Sequence, residues 1–497
     1  MRRKPERSMG RPQAARVAAG LTILRAGMLL LSAPVAQAQV KEYGVSELAS
    51  LALARSSESL SARSSLAESS ASLEAAKRTK LPVLSIDTQA SWIGIPTDAL
   101  VIEEGSFGSI PYTTPLGTTY IALPDNNVTI YDEQDPFYFS TTLSLVQPIW
   151  TWGKLDNAIA AQSAQKELTA ANVTKSDTDV LCALYSSLYA IRYQIEALVI
   201  VREQADLARR MLLSAAASRD AGFLTELDYE KSSIDAEQLL RTASQLQDSI
   251  DSIKRDIADY AGIPASEEWT VRISGLIETP VVSEKSIEEW ITLAMGSNHD
   301  IALAGLAMKL DESLLRLAES NQAGKPDLGL SVRGGWKGSR FPPAEDWKDK
   351  SDWFLTVTLG LQGDLFDFGS SAWKAQAAEA AARKAGLDDE RARRSVEKAT
   401  RSLYALLASY REDIAYAQRK EKHAEAMVED SRMKREAGTV GEPAVLSAQT
   451  EQLSALLELT RLRMDYANAC IRFLSITTPY EILSGSAFTL SPSPEEL

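Results

Sequence analysis

Apolar side chains follow two different spacings along this chain. Through residues 154–218 they recur every three or four positions, as at Leu181 and Leu184, which is the spacing of helices that pack through one narrow face, as in a coiled coil. Shorter stretches alternate apolar and polar side chains, as at Leu84 and Ile86, and this alternation is typical of strands. The pattern therefore predicts long helices joined to short β-hairpins.

The chain also contains an internal duplication. The segment 82–92, which begins with Pro and ends with Trp, recurs 244 positions later as 326–336. Matches in the same order at constant offsets predict two similar structural units. Two further segments recur 216 positions later, namely 143–153 as 359–369 and the turn 219–222 as 435–438.

The duplication predicts how the chain is divided. Each copy opens with a helical stretch of about 35 residues, over 46–80 and 286–322. In each copy the pattern then changes at Pro or Gly residues, and these changes predict a hairpin, a long helix and a return helix. The predicted first repeat is 39–262, with hairpin 83–152, long outward loop 93–136, long helix 154–218 and return helix 225–261; an equatorial connector covers 263–285; the second repeat is 286–478, with hairpin 327–368, long helix 370–436 and return helix 442–476; a C-terminal tail covers 479–497.

The first 38 residues have the features of a secretory signal. Seven Lys and Arg residues precede or flank a short apolar stretch at 26–35, and Ala36-Gln37-Ala38 supplies a small-x-small cleavage pattern. Residues 1–38 are therefore predicted to be a signal peptide. Its removal would change the net charge from −14 to −20, so the exported chain would be strongly acidic.

The hairpins supply four strands of about ten residues, which is the length that a tilted strand needs to cross a bilayer. Four strands cannot close a barrel, and open sheet edges are not tolerated in lipid. Three copies would provide twelve strands, so a homotrimer in a membrane is expected. Aromatic side chains near the strand ends fit an interfacial girdle, and the predicted girdle residues are Trp92, Trp150, Trp152, Trp336, Trp353, Phe366 and Phe368.

Composition excludes several other classes of protein. The excess of 67 Asp and Glu over 53 Lys and Arg argues against binding to nucleic acid. Two Cys and two His residues provide no zinc cluster, and no arrangement of catalytic residues or phosphate-binding loop is present. We therefore predict no enzymatic activity, no cofactor and no metal site.

With these features together, the sequence resembles the TolC family of outer-membrane efflux proteins from about residue 45 to 478. The resemblance rests on the duplicated helix-strand-loop-strand-helix order, the junctions at 149–153 and 365–369, and the paired turns at 219–222 and 435–438. It implies a mainly α fold with membrane β-strands: a TolC-like trimer with a long periplasmic α-helical coiled-coil barrel and a twelve-stranded outer-membrane β-barrel. It further implies a channel or exit duct for a tripartite efflux pump or type I secretion system, with a periplasmic adaptor (membrane fusion) protein and an inner-membrane transporter as partners.

The same resemblance implies that the two helix-turn-helix turns are periplasmic tips that dock the adaptor. Acidic residues would be expected six and nine residues after the second tip glycine, where this chain has Ala444 and Ser447. Glu442 could supply an alternative acidic ring in a trimer. The predicted tip residues are Arg219, Gly222, Thr225, Asp228, Arg435, Gly438 and Glu442.

A second interpretation stays open at the level of sequence. The long helices would also suit an exported structural or adhesive coiled-coil protein without a pore. The two hypotheses differ in whether the hairpins face lipid.

Overall fold

The computed structural model describes residues 41–131, 133–264, 267–273, 276, 285–338 and 351–478. The predicted signal peptide 1–38 and C-terminal tail 479–497 lie outside the described residues. So do most of the connector between residues 273 and 285 and the loop 339–350 of the second hairpin.

The helices come in pairs of equal length, one from each half of the chain. Both long helices have 67 residues and both return helices have 36. At a rise of 1.5 Å per residue, each long helix spans about 100 Å. The helices are α1 (Val45–Arg55), α2 (Ser57–Arg78), α3 (Lys154–Asp220), α4 (Glu226–Ala261), α5 (Ile287–Ser297), α6 (His299–Ser320), α7 (Ser370–Glu436) and α8 (Glu442–Thr477).

The opening stretch of each copy is two helices, which corrects the prediction of one continuous helix. The break falls at Ser56 in the first copy and at Asn298 in the second, both with extended backbone. Each of these side chains accepts hydrogen bonds from backbone amides of the next helix, Ser59 in the first case and Asp300 and Ile301 in the second. Ser and Asn favour such N-cap positions because their oxygens satisfy amides that the helix leaves free, and this local preference overrides the continuous apolar pattern.

The helices support one another sideways. Helix α4 packs against α3, and α8 packs against both α7 and α3. Helix α2 packs against α3, whereas its counterpart α6 lies between α3 and α7. The largest buried core lies part-way along α3, around Leu184, Leu188 and Tyr189, where α1, α4 and α8 meet it. The long helices are therefore stabilised by neighbours along much of their length.

Four long strands form one antiparallel sheet in the order β10-β9-β7-β2. The segment 93–136, predicted as a loop, contains four short strands that pair as two small ribbons. A further parallel pair joins the beginning of the described chain to the connector. The strands are β1 (Lys41–Gly44), β2 (Val83–Trp92), β3 (Leu100–Ile102), β4 (Ser109–Thr114), β5 (Gly117–Ala122), β6 (Val128–Tyr131), β7 (Phe137–Trp150), β8 (Trp269–Arg272), β9 (Asp327–Gly338) and β10 (Ser351–Gln362).

Both hairpins have the same register when the two sequence offsets are applied. Trp92 lies opposite Phe137 in the first hairpin, and the equivalent residues Trp336 and Trp353 lie opposite each other in the second. The duplication therefore extends from the order of elements to individual residue pairs.

Candidate functional site

The four-stranded sheet has one apolar face and one mostly polar face. The hydroxyls of Ser85 and Ser144 lie 2.7 Å apart on the polar face, and Thr88 and Thr141 contact each other on the other face. Successive side chains of a strand point to opposite faces, so the pairing register assigns every other side chain of the four strands to one face or the other. The polar face also carries Asp87, Gln89, Thr142, Ser331, Arg333, Thr356 and Thr358, with Val83, Tyr138, Val146 and Phe354 as apolar exceptions.

The apolar face is exposed to a degree that is unusual for a folded monomer. Leucine, isoleucine and valine side chains of the two outer strands are more than half exposed. A contiguous exposed surface of this kind marks a site that contacts lipid or another protein. A ten-residue strand tilted by about 40° spans roughly 25 Å, the height of the apolar band of outer-membrane barrels. The exposed members are Leu84, Ile86, Leu355, Val357, Leu359 and Leu361.

The predicted girdle residues lie at the two ends of this sheet. Trp92 and Trp353 lie at the loop end and are about three-quarters exposed. Trp336 also lies there, but it is buried because Phe139 covers it at a ring separation of 5.4 Å, so it does not present the free ring that a girdle residue needs. The other end, next to the long helices, carries the exposed rings of Trp150, Trp152, Phe366 and Phe368.

The junction from strand to long helix is built in the same way in both copies. Trp152 and Phe368 both have a positive φ, of 54° and 53°, a conformation that costs a residue with a side chain about 1–2 kcal/mol. The Trp152 indole donates a hydrogen bond of 2.8 Å to the Pro326 carbonyl of the other hairpin. This contact links the two repeats at the base of the sheet.

The first tip lies at the opposite end of the long helices. Helix α3 ends in a Schellman-type cap, in which the Gly222 amide donates to the Arg219 carbonyl and the Phe223 amide donates to the Ser218 carbonyl. Thr225 is the N-cap of α4, accepting from the Asp228 amide at 3.1 Å and donating to the Asp228 carboxylate at 2.7 Å. These contacts make a rigid turn.

Arg219 holds the two helices of the first tip together. Its guanidinium pairs with Asp220 at 2.9 Å and with Glu226 at 3.6 Å, and it lies over the Tyr229 ring at 4.2 Å. The hydrogen bond to Asp220 and the nearby carboxylates raise the Arg219 pKa, and arginine is in any case charged in proteins. The contact with Tyr229 was not predicted, although its spacing of three residues from the helix start at Glu226 is visible in the sequence.

The second tip has the same backbone and different side chains. The Gly438 amide donates to Arg435 and the Thr439 amide to Lys434. Here Gly441 takes the N-cap position without a side-chain bond, and Glu442 begins α8 with Pro443 in its first turn. Glu442 is exposed, as are Arg435, Ala444 and Ser447. The second tip therefore lacks the side-chain cap that stiffens the first.

Sequence reasoning missed the apolar surface of the first tip. Phe223 is 87% exposed and Leu227 is 77% exposed, on either side of the cap. Exposed aromatic and aliphatic side chains on a rigid turn are suited to contact with another protein. The sequence does indicate this surface, because Phe directly follows the tip glycine of the first copy, whereas polar Thr439 follows that of the second.

Within the described ranges, no group of three or more His, Cys, Asp or Glu residues is arranged to hold a metal ion. No helix in that part of the chain is both long enough and apolar enough to cross a membrane. The two cysteines form no disulfide; Cys470 is buried and Cys182 partly so.

Comparison with solved structures identifies the fold. The chain matches the structure of CusC with a TM-score of 0.65 at 15% identity, covering 88% of this chain and 92% of that one. The outer-membrane channel OprN matches with a TM-score of 0.65 at 16% identity, covering 89% and 90%. The outer membrane channel CmeC of Campylobacter jejuni matches with a TM-score of 0.66 at 13% identity, covering 91% and 88%.

No curated protein matches the sequence. The family model described as "Outer membrane efflux protein" matches residues 48–262 and 290–477, and these two segments are the two halves of the duplication. The resemblance predicted from the sequence is thereby confirmed. Since the match covers most of the chain, the protein belongs to the outer membrane efflux protein family.

Proposed function

We propose that this outer-membrane efflux protein works as a homotrimeric exit duct, in a tripartite efflux pump or a type I secretion system, for small molecules or proteins. The observation that carries the proposal is the two-faced sheet, whose outer strands β2 and β10 each have one edge without a partner in the described chain. An unpaired edge in lipid leaves backbone groups without hydrogen bonds at a cost of several kcal/mol each. Three copies would pair all edges in a twelve-stranded barrel with a polar interior.

The family match favours this duct over the adhesive coiled-coil protein without a pore. The exposed apolar face provides an independent reason, because a soluble adhesin would need to cover it. The polar face would line a water-filled lumen, as it does in barrels of this kind.

The two tips are the proposed docking surface for a periplasmic adaptor, which would connect the duct to an inner-membrane transporter. The tips lie about 100 Å from the strands, since each long helix runs from a junction to a tip without a break. The first tip presents Phe223 and Leu227. Arg219 in the first tip and Arg435 in the second each lie three residues before a glycine with positive φ. Their position is that of the end farthest from the outer membrane.

Fractionation combined with gel electrophoresis tests the proposal. We expect the protein in the outer-membrane fraction, extracted only by detergent, and running as a trimer without heating and as a monomer after boiling. Crosslinking in detergent should yield a product of three chains. Extraction in detergent-free buffer as a monomer would contradict the duct and would favour the adhesive protein.

A further inference from the structure

Helix α6 forms a seam inside the chain, which we call the internal seam, where it lies against α3. Its contacts are specific: Asp300 pairs with Lys175 at 3.1 Å, and His299 lies 3.0 Å from the Thr178 hydroxyl. At the other end, the side-chain amide of Asn157 donates to the Arg316 carbonyl at 3.1 Å. These three contacts set the register of α6 along one face of α3.

The equivalent face of α7 is uncovered. The α3 face runs through Asn157, Ala161, Ala164, Leu168, Ala171, Lys175 and Thr178, all of which are buried or partly buried. Adding the offset of 216 gives Trp373, Ala377, Ala380, Lys384, Leu387, Arg391 and Arg394 on α7, all of which are exposed.

The face of α2 that is equivalent to the buried face of α6 is exposed. The α6 face directed at α3 includes His299, Leu303, Leu306, Leu310, Ser313, Leu317 and Ser320, which are buried or partly buried. The breaks at Ser56 and Asn298 align the opening helices at an offset of 242. The equivalent residues of α2 are all exposed, and they are Ser57, Ser61, Ser64, Glu68, Ala71, Ala75 and Arg78. The chain thus carries two exposed faces that are the repeat equivalents of two faces already in contact.

We propose that α2 of one subunit lies against α7 of the neighbouring subunit in the register of the internal seam, with Glu58 paired to Arg391 across the subunit boundary. The occupant of each exposed face is therefore a second copy of this chain, and the inference rests on the proposed trimer. Glu58 is the repeat equivalent of Asp300, and Arg391 is the equivalent of Lys175. The substituted pair keeps opposite charges in the same positions.

A second pair of charges agrees with this register. Lys309 pairs with Glu167 in the internal seam, and the equivalent positions are Ala67 and Arg383. Glu68, the next residue of α2, lies on the exposed face and comes to the level of Arg383 and Lys384 of the neighbour. Acidic side chains of α2 therefore meet basic side chains of α7 at two levels.

The chemistry of this subunit seam differs from that of the internal seam. The internal seam covers four leucines of α6, whereas the equivalent α2 positions carry serine, glutamate or alanine. Helix α2 therefore offers no leucine on this face to pack against the exposed Trp373 and Leu387 of α7, so charge complementarity has to contribute to the register. Arg391 pairs with Asp388 within its own helix, but it is 80% exposed, and exposed pairs of this type are weak enough to exchange partners.

Site-directed crosslinking tests the register. In a background with Cys182 and Cys470 replaced by Ala, Glu58→Cys and Arg391→Cys are combined and treated with a short bismaleimide in detergent. We expect a covalent product of three subunits. The matched control, Asp300→Cys with Lys175→Cys, should react within one chain and leave the mass on a denaturing gel unchanged.

Charge reversal provides a measurement that needs no new cysteines. Glu58→Arg and Arg391→Glu should each lower the temperature at which the trimer dissociates on unheated gels, and this loss should grow smaller in high salt. The combined variant should recover most of the loss. Absence of the three-subunit crosslink, or equal losses that add in the combined variant, would overturn the proposed pair.

A strand-edge crosslink separates this proposal from the trimer itself. Leu143 lies opposite Gly334 inside the chain, and the repeat equivalents are Leu359 and Ala90, on the two outer strands. Leu359→Cys with Ala90→Cys should form a disulfide between subunits under mild oxidation. If that link forms and the Glu58 to Arg391 link does not, the seam is wrong and the duct stands; if the protein is monomeric and neither forms, both fail.

Discussion

The tip glycines show how single residues determine the shape of the proposed docking end. Gly222 has φ of 78° and Gly438 has φ of 71°, with no atom near enough to obstruct a side chain. The obstacle to substitution is therefore the backbone conformation, which a β-branched residue adopts at a cost of about 1–2 kcal/mol or more.

We expect Gly222→Val and Gly438→Val to reduce trimer yield or efflux, because the return helix would leave the turn at a different angle. Gly222→Asn should have a smaller effect, since Asn tolerates the left-handed conformation better. Gly296→Ala, at an unobstructed helical position, is the control. Unchanged trimer yield and unchanged efflux in both Val variants would count against the tip assignment.

The two thiols provide a second prediction at the scale of the residue. Burial raises the pKa of Cys182 to about 12 and that of Cys470 to about 11. The thiolate is the reactive form, so at pH 8 both groups are protonated and unreactive in the folded protein. We expect mass spectrometry after N-ethylmaleimide treatment to find no adduct in native detergent solution and two adducts in urea. Rapid modification of the native protein at pH 8 would contradict the buried placement.

At the scale of the element, the breaks between the opening helices depend on single capping side chains. Asn298 is buried, accepts hydrogen bonds from two amides, and donates to the Ile476 carbonyl at 3.2 Å. It therefore joins the start of α6 to the end of α8. Loss of an N-cap usually costs about 1 kcal/mol, and loss of the buried contact adds to that.

We expect Asn298→Ala to lower the thermal unfolding temperature of the helices, measured by circular dichroism, by about 2 degrees, because the unfolding entropy of a chain of this length is large. Ser50→Ala, which changes an exposed serine of α1 away from the proposed seam, should leave that temperature within about half a degree. An Asn298→Ala variant as stable as the parent would mean that the break is set by packing alone.

Much of the element order could be predicted because helices and strands have different periods. The long helices and the hairpins each repeat their spacing over many residues, so Leu181 and Leu184, or Leu84 and Ile86, carry the signal. The breaks at Ser56 and Asn298 could not be predicted, because each is made by one capping residue within an otherwise continuous apolar pattern. The strands within 93–136 were missed because they pair only with each other and have no long alternating run.

The candidate site was predictable to a lesser degree. Glycine and capping residues identify the turns from local chemistry alone. Burial of Trp336 depends on Phe139, which lies nearly two hundred positions away in the sequence and is brought close only by the pairing of β7 with β9. Tertiary neighbours of this kind leave no mark on local spacing.

At the scale of the whole molecule, a trimer would place three copies of each residue near the second tip around one axis, so one charged side chain would contribute three charges. Like charges in a narrow and partly dehydrated pore raise one another's pKa values and attract counter-ions. Ala444 and Ser447 supply no such charge, and Glu442, exposed in the first turn of α8, is the nearby carboxylate that could.

We therefore expect weak block by divalent cations in single-channel recordings of the native protein in a planar bilayer. Ala444→Asp should strengthen the block, since it adds three carboxylates near the axis, and Glu442→Gln should remove what the native channel retains. Glu425→Gln, which neutralises an exposed carboxylate of α7 well before the tip, is the control for a general change in surface charge. Tight native block that Glu442→Gln leaves unchanged would show that the constriction is formed by other residues, and that the role proposed for Glu442 is wrong.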